Sequence, residues 1–162
     1  MIEGIPSADV PSVWHIASPL IQKVLDRTDP GETLADVYAR LTAPEPLYQL
    51  YSLNDWQAAA VTAAYTLPQY TQLQIMYVGG AGVDQWSDAL LEQMTLWAWS
   101  RGDKYVNAPG RKGWAPIANR NGFKAELVNW RKQVTPADVQ DILERRGATS
   151  HEITRFLEHE DG

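Results

Sequence analysis

Between Leu47 and Val78 the chain carries three β-favouring runs whose connections are too short for anything but antiparallel neighbours. Leu47–Leu53 is rich in Tyr and Leu, and Trp56–Thr66 in Ala, Val, Thr and Tyr. Thr71–Val78 alternates Leu73, Ile75 and Tyr77 against Gln72, Gln74 and Met76. Asn54-Asp55 is a turn pair, and Leu67–Tyr70 holds a Pro turn. Links this short join antiparallel strands, because a parallel pair needs a long crossover. The Ala58–Ala60 run reads as strand rather than helix, since turn signals flank it, and its small side chains suit a helix packed above.

Helical signals surround this meander. Ser12 and Ser18-Pro19 read as helix starts, and Leu20, Ile21, Val24 and Leu25 form an apolar stripe. After the Asp29-Pro30-Gly31 turn, Thr33 caps a short helix carrying Leu34, Val37, Tyr38 and Leu41, which Pro44 and Pro46 end. Downstream, Gly79-Gly80-Ala81-Gly82 leads into a helix from Gln85 to Arg101, with Asp84 as its cap and Gly102 as its stop. Trp86, Leu90, Met94 and Trp97 share a face of it, beside Leu91 and Ala98. This helix makes the following strand, Lys104–Ala108, parallel to Thr71–Val78. A short helix over Gly113–Asn121, closed by Gly122, and a last strand over Phe123–Arg131 complete the domain. The predicted core is Leu50, Val61, Leu73, Ile75, Leu90, Leu91, Met94, Trp97 and Val106. The expectation is one α/β domain over residues 1–134: a mixed, mostly antiparallel central sheet flanked by helices. A C-terminal helical tail over 135–162 follows it.

Composition narrows the function classes. The 162 residues are 44% hydrophobic, enough for one domain with a real core. There is no Cys, so disulfides and thiolate metal sites are excluded, and the His spacing offers no metal cluster. Neither a signal peptide nor an apolar run of the ~18 residues that span a bilayer is present, and a cytoplasmic protein is expected. Net charge is −6, unevenly spread: residues 101–134 hold 8 basic and 2 acidic side chains, whereas residues 1–100 hold 3 and 11. The basic stretch, with Arg111, Lys112, Arg120, Lys124, Arg131 and Lys132 beside Trp114 and Trp130, suits an anionic partner such as nucleic acid, though no binding motif accompanies it.

The order of elements resembles the GNAT (N-acetyltransferase-like) fold, above all in Gly113-Trp114-Ala115-Pro116-Ile117-Ala118-Asn119-Arg120-Asn121-Gly122-Phe123. More closely, the chain is similar to GNAT-like proteins encoded by tailed bacteriophages. That likeness lies in Ile5-Pro6 with Val13-Trp14, Ala58–Thr62, Val78-Gly79-Gly80, Trp86 with Leu90-Leu91, Trp97-Ala98, and Gly110-Arg111-Lys112-Gly113-Trp114. It covers about residues 5–134. In such enzymes the loop after the fourth strand binds the pyrophosphate of acetyl-CoA, through successive N–H groups and a helix N-terminus. The family pattern there is Arg or Gln, two residues, Gly, one residue, then Gly or Ala. Aligned on Leu90-Leu91, those positions are Gly82, Gln85 and Ser87, so the first has no side chain and the middle Gly is Gln. Gly79, Gly80 and Gly82 lie one turn early and read as a strand-to-helix bend.

The catalytic positions that the resemblance implies are also changed. Amine attack on a thioester needs a base for the ammonium and a proton donor for the thiolate. Thr71–Val78 has no Asp, Glu or His, and the usual Tyr donor position is Ala118. Tyr77 and Tyr105 are conceivable donors that read more simply as core. The resemblance therefore implies a non-catalytic protein with no cofactor, assembled into a virion from the host cytoplasm in the head-tail or tail region. Its partners would be other virion proteins or copies of itself. The alternatives are an acetyl-CoA-dependent N-acetyltransferase with a divergent loop and a nucleic-acid-binding protein using the basic stretch. Candidate partner-binding residues are Arg111 and Trp114, with Ile153, Phe156 and Leu157 in the tail. Thr135-Pro136, Gly147 and the Thr149/Glu152 capping-box pattern punctuate that tail into two amphipathic helices.

Overall fold

The computed structural model describes residues 1–110, 112–125 and 132–158. They fall in two compact units, Met1–Lys124 and Ala125–Gly162. In the first, a sheet of β1 (Ile2–Ile5), β2 (Tyr48–Leu53), β3 (Ala58–Thr66), β4 (Thr71–Gly80) and β5 (Tyr105–Asn107) runs in that spatial order. The first three pairings are antiparallel, and β4–β5 is parallel. The meander forms as its short links require, and Asn54, Asp55 and Trp56 turn through positive φ between β2 and β3. Strand β1 was not legible, because four residues containing Glu3 and Gly4 show no alternation.

Helices cover both faces. α1 (Val10–Arg27) and α2 (Leu34–Thr42) pack Ile21, Leu25, Val37 and Leu41 against Leu50, Ala59 and Val61. α3 (Val83–Arg101) packs Trp86, Leu90, Leu91 and Met94 against Leu53, Ala58, Ala60, Leu73 and Ile75 on the other face. The alanines of β3 thus serve both layers alternately. A single 3-10 turn, Lys112–Trp114, leads into α4 (Ala115–Arg120), which buries Ile117.

One irregularity matters for the site. Val61 pairs with Tyr77 while its neighbour Thr62 pairs with Ile75, so Met76 is a surplus residue in β4. A bulge of this kind bends its strand and exchanges the faces that side chains occupy. Leu73 and Ile75 accordingly lie in the α3 layer, whereas Tyr77, of the same parity, lies in the α1–α2 layer.

The structure corrects several expectations. α1 runs straight through Pro19. Its buried stripe of Val10, Ala17, Ile21 and Leu25 continues on both sides of Pro19, and that packing outweighs the ~3 kcal/mol an interior Pro costs. Gly82, not Asp84, is the N-cap of α3, and no side chain caps that end. Trp97 is 43% exposed and Val106 only half-buried. The buried row of α3 is Trp86, Leu90, Met94 and Ala98, and Trp97 lies one residue off it. β5 is shorter than Lys104–Ala108. In the expected last strand, Phe123-Lys124-Ala125 is irregular, and residues 126–131 lie outside the described ones.

The second unit holds α5 (Pro136–Arg145) and α6 (Ser150–Glu158). Thr135 and Asp138 form a reciprocal capping box, Thr149 and Glu152 do the same for α6, and Gly147 turns at φ 80° between them. Of the apolar positions expected to seek a partner, Ile153 is buried, Leu157 half-buried and Phe156 exposed.

Truncating the α3 layer tests this packing. Leu91→Ala should cost roughly 2–5 kcal/mol in urea unfolding, as buried Leu truncations do. Trp99→Ala, on the outer face of the same helix, should stay within about 0.5 kcal/mol. Comparable losses in the two variants would show the helix rotated from the described orientation.

Candidate functional site

β5 pairs with β4 only opposite Gln72–Gln74. Beyond Gln74 the two chain segments part and leave a cleft of about 760 Å³ between them. Every residue from Gln74 to Gly80 lines it, and Ala108, Pro109 and Gly110 line the far side. Consecutive residues of one strand meet a cavity only when it lies along the strand's edge, since alternate side chains point to opposite faces. Two walls flank that edge. Lys23, Arg27, Glu32 and Arg40 come from α1, α2 and the loop joining them; Val83, Trp86, Leu90, Leu91, Trp114 and Ala118 come from the α3–α4 side.

The first wall holds a built polar cluster. Glu32 has a side chain only 8% exposed. Its Oε1 accepts hydrogen bonds from the hydroxyls of Tyr48, at 2.9 Å, and of Tyr77. Its Oε2 lies 3.5 Å from Arg40 Nε, while Arg40 Nη1 donates to Tyr48 Oη at 3.1 Å. Burial, then the bond to Glu32, push the Tyr48 phenol up to about 12 and raise that of Tyr77 as well. Both phenols are neutral donors at neutral pH. The bulge at Met76 is what brings Tyr77 to this face. Sequence reading missed Glu32, which follows a Pro-Gly turn and lies far from β4 along the chain; the one signal was an acid just before the Thr33 cap.

The opposite wall carries the expected phosphate loop, and its groups are engaged within the chain. Ala81 N–H donates to Gln57 O at 3.1 Å, and Gln85 N–H to Gly82 O at 2.8 Å. Gly82 sits at φ 70°, where a Cβ would run into the Gln57 side chain. Asp84 places a carboxylate in the first turn of α3, at the helix end that favours anions. Ser87 is fully buried, and its hydroxyl has no partner among the described residues. A Cβ on Gly79 would overlap the Leu20 carbonyl oxygen and Val24, because α1 crosses β4 there; one on Gly80 would meet Ala58. Close helix-on-strand packing therefore accounts for Gly79.

The remaining expected residues are dispersed. Trp114 packs its ring 6.1 Å from that of Trp86 and lines the cleft. Arg111 lies outside the described residues. Gly110 and Gly113 have neither a left-handed backbone nor crowding. Ala118 offers the cleft only a methyl group, and Tyr105 stacks edge-on against Tyr70. Three described cations of the basic stretch have internal partners: Arg101 with Asp103 at 3.0 Å, Arg120 with Asp88 at 2.8 Å, Lys132 with Asp138 at 3.3 Å. Among the described residues no group of His, Asp and Glu could hold a metal ion, and no helix is long and apolar enough to cross a membrane.

No family model matches the chain, and no curated protein matches it. Solved structures do. A probable acetyltransferase superposes with a TM-score of 0.62 at 12% identity, over 83% of this chain and 98% of that one. Glucosamine-6-phosphate N-acetyltransferase from Arabidopsis thaliana does so at 0.58 and 10%, over 83% and 98%. A GNAT family acetyltransferase from Staphylococcus aureus gives 0.55 and 12%, again over 83% and 98%. At these identities the likeness shows the fold alone: a GNAT-like α/β architecture with a five-stranded, mostly antiparallel sheet.

Two measurements check the site's geometry. Gly79→Ala should lower the melting temperature by several degrees, whereas Gly113→Ala, whose Cβ would meet nothing within 4 Å, should leave it unchanged. Equal effects would remove the close α1–β4 approach. Because the folded state holds the Tyr48 proton to about 12 and the unfolded chain releases it near 10.0, this group's stabilisation is complete below pH 10 and is lost as pH rises toward 12. Tyr48→Phe should therefore flatten the fall in stability over that interval; an unchanged profile would show that the cluster does not form in solution.

Proposed function

We propose that this chain is a non-catalytic GNAT-fold protein that serves as a structural or assembly component of a tailed-phage virion. The observation that carries the first half is the state of the loop before α3. Its Ala81 and Gln85 amides are engaged by Gln57 and Gly82, its left-handed glycine abuts the Gln57 side chain, and Asp84 adds negative charge in the first turn of α3. Phosphates there would meet repulsion from Asp84 and a loop already crowded at Gly82. Ala118 at the thiolate-donor position and the absence of any acid in β4 support the same reading. The virion half rests on the sequence resemblance. Exposed apolar side chains at Leu96, Trp99 and Phe156, 65%, 85% and 56% exposed, suit a protein that works in an assembly.

Glu32 favours a second reading. A carboxylate lining the cleft is a reachable base for an acceptor amine, as an N-acyltransferase with a divergent loop would need. Its two phenol bonds and the Arg40 contact make it first a tie between the α1–α2 loop and the sheet. The nucleic-acid reading is the least supported, given the internal partners of Arg101, Arg120 and Lys132.

Calorimetric titration of the full chain with acetyl-CoA should give no binding tighter than about 1 mM. A micromolar Kd would overturn the non-catalytic reading. If turnover of an amine accompanied it, Glu32→Gln should then lower kcat by about 10²–10⁴-fold, the usual loss for a general base. The virion reading is checked by mass spectrometry of purified particles, in which the protein should be found. Deleting residues 135–162 should abolish its incorporation with little change in melting temperature. Normal incorporation of the truncated chain would remove the tail from assembly.

A further inference from the structure

The cleft combines three features. The first is an unpaired strand edge. Among the described residues nothing pairs with Ile75–Gly80 on the side facing β5, so that edge offers backbone donors and acceptors to the cavity over six residues. The second is the opposition of the walls, charged on the α1–α2 side and apolar on the α3–α4 side. The third is the sign of the charge. Residues 1–100 contain 3 basic and 11 acidic side chains. All three bases, Lys23, Arg27 and Arg40, line the cleft, with Glu32 as the one acid among those eleven that does. This acidic part of the chain has its whole basic complement around one cavity.

From these we infer that the cleft docks an extended peptide segment of a partner protein, one that alternates acidic and apolar residues and adds a strand to the open edge of β4. An open edge pairs with an extended chain through main-chain hydrogen bonds, while alternate side chains fall into different environments. Six paired residues span roughly 20 Å at strand rise. In such a strand successive side chains point to opposite faces, so one set meets Lys23, Arg27 and Arg40 while the other meets Trp86, Leu90 and Trp114. An acidic–apolar alternation satisfies both walls at once; a uniformly apolar or basic strand would leave one wall mismatched. β5 ends at Asn107, opposite Gln74, and leaves this edge uncovered. The inference rests on the reading that acetyl-CoA does not occupy the cleft.

The probe is the capped hexapeptide acetyl-Glu-Val-Glu-Val-Glu-Val-amide, titrated into the full chain by calorimetry and followed by backbone-amide NMR. It should bind with shifts concentrated at residues 75–80. A Lys-Val counterpart, and a version with alternate amides N-methylated, should each bind at least about tenfold more weakly, a change of ~1.4 kcal/mol. Lys23→Glu, at an exposed position of α1, should weaken the acidic probe several-fold and reduce the salt dependence of its affinity. No binding of the acidic probe at 1 mM would overturn the inference. So would equal affinity of the N-methylated version, or an affinity untouched by Lys23→Glu. Acetyl-CoA is then added to the peptide complex. Displacement at micromolar concentration would sink the non-catalytic reading while leaving strand docking demonstrated, so the two fail separately.

Discussion

Met76 is one residue more than β3 can pair, and the two halves of β4 therefore face different layers. Before the bulge, Leu73 and Ile75 help fill the α3 core, and Gln72–Gln74 still hold β5. After it, Tyr77 and Gly79 turn toward α1, and β5 has no partner left. A regular strand would send Tyr77 to the α3 face, away from Glu32. The polar cluster on the cleft's α1–α2 wall thus depends on the bulge. The α1–α2 side stabilises the arrangement in turn: Glu32 ties the loop after α1 to β2 through Tyr48 and to β4 through Tyr77. These are buried bonds to a charged acceptor, the class whose loss is most costly when one partner is removed.

The sequence announced what is local or periodic and was silent on what is bought by distant contact. The β2–β3–β4 meander, the Thr33 and Thr135 caps and the α3 row of Leu90, Leu91 and Met94 were legible because turn residues and spacing specify them directly. Trp97 was misplaced by one residue of helical phase, and Pro19 was misread as a start because its local cost was weighed without the buried stripe that offsets it. The four residues of β1 become a strand only because β2 supplies an edge to pair with. In the site, the altered loop positions were visible, being defined by spacing. Glu32 was not, because its partners stand 8, 16 and 45 residues away and no pattern links them.

The glycines before α3 show how one motif can carry two meanings. Gly-Gly-x-Gly ahead of a helix suggests backbone laid open to a ligand. Here each glycine has a neighbour within the chain: Leu20 and Val24 at Gly79, Ala58 at Gly80, Gln57 at Gly82. α1 and the β2–β3 turn thus fill the space beside these glycines. The same residue, Gln57, takes the Ala81 amide and crowds Gly82, so the turn between β2 and β3 controls the loop after β4.

Charge placement gives the cleft a character of its own. Lys23, Arg27 and Arg40 bring positive charge to the cleft from two different helices of an otherwise acidic region. Arg40 has a structural reason, through Glu32 and Tyr48. Lys23 is exposed on α1 and takes no part in that cluster. A wall of long cations facing a wall of indole and leucine, across a strand edge with unused hydrogen-bonding groups, is complementary to an extended acidic segment at the level of backbone, charge and apolar contact together. Agreement among three independent kinds of interaction is what distinguishes a binding groove from a packing defect.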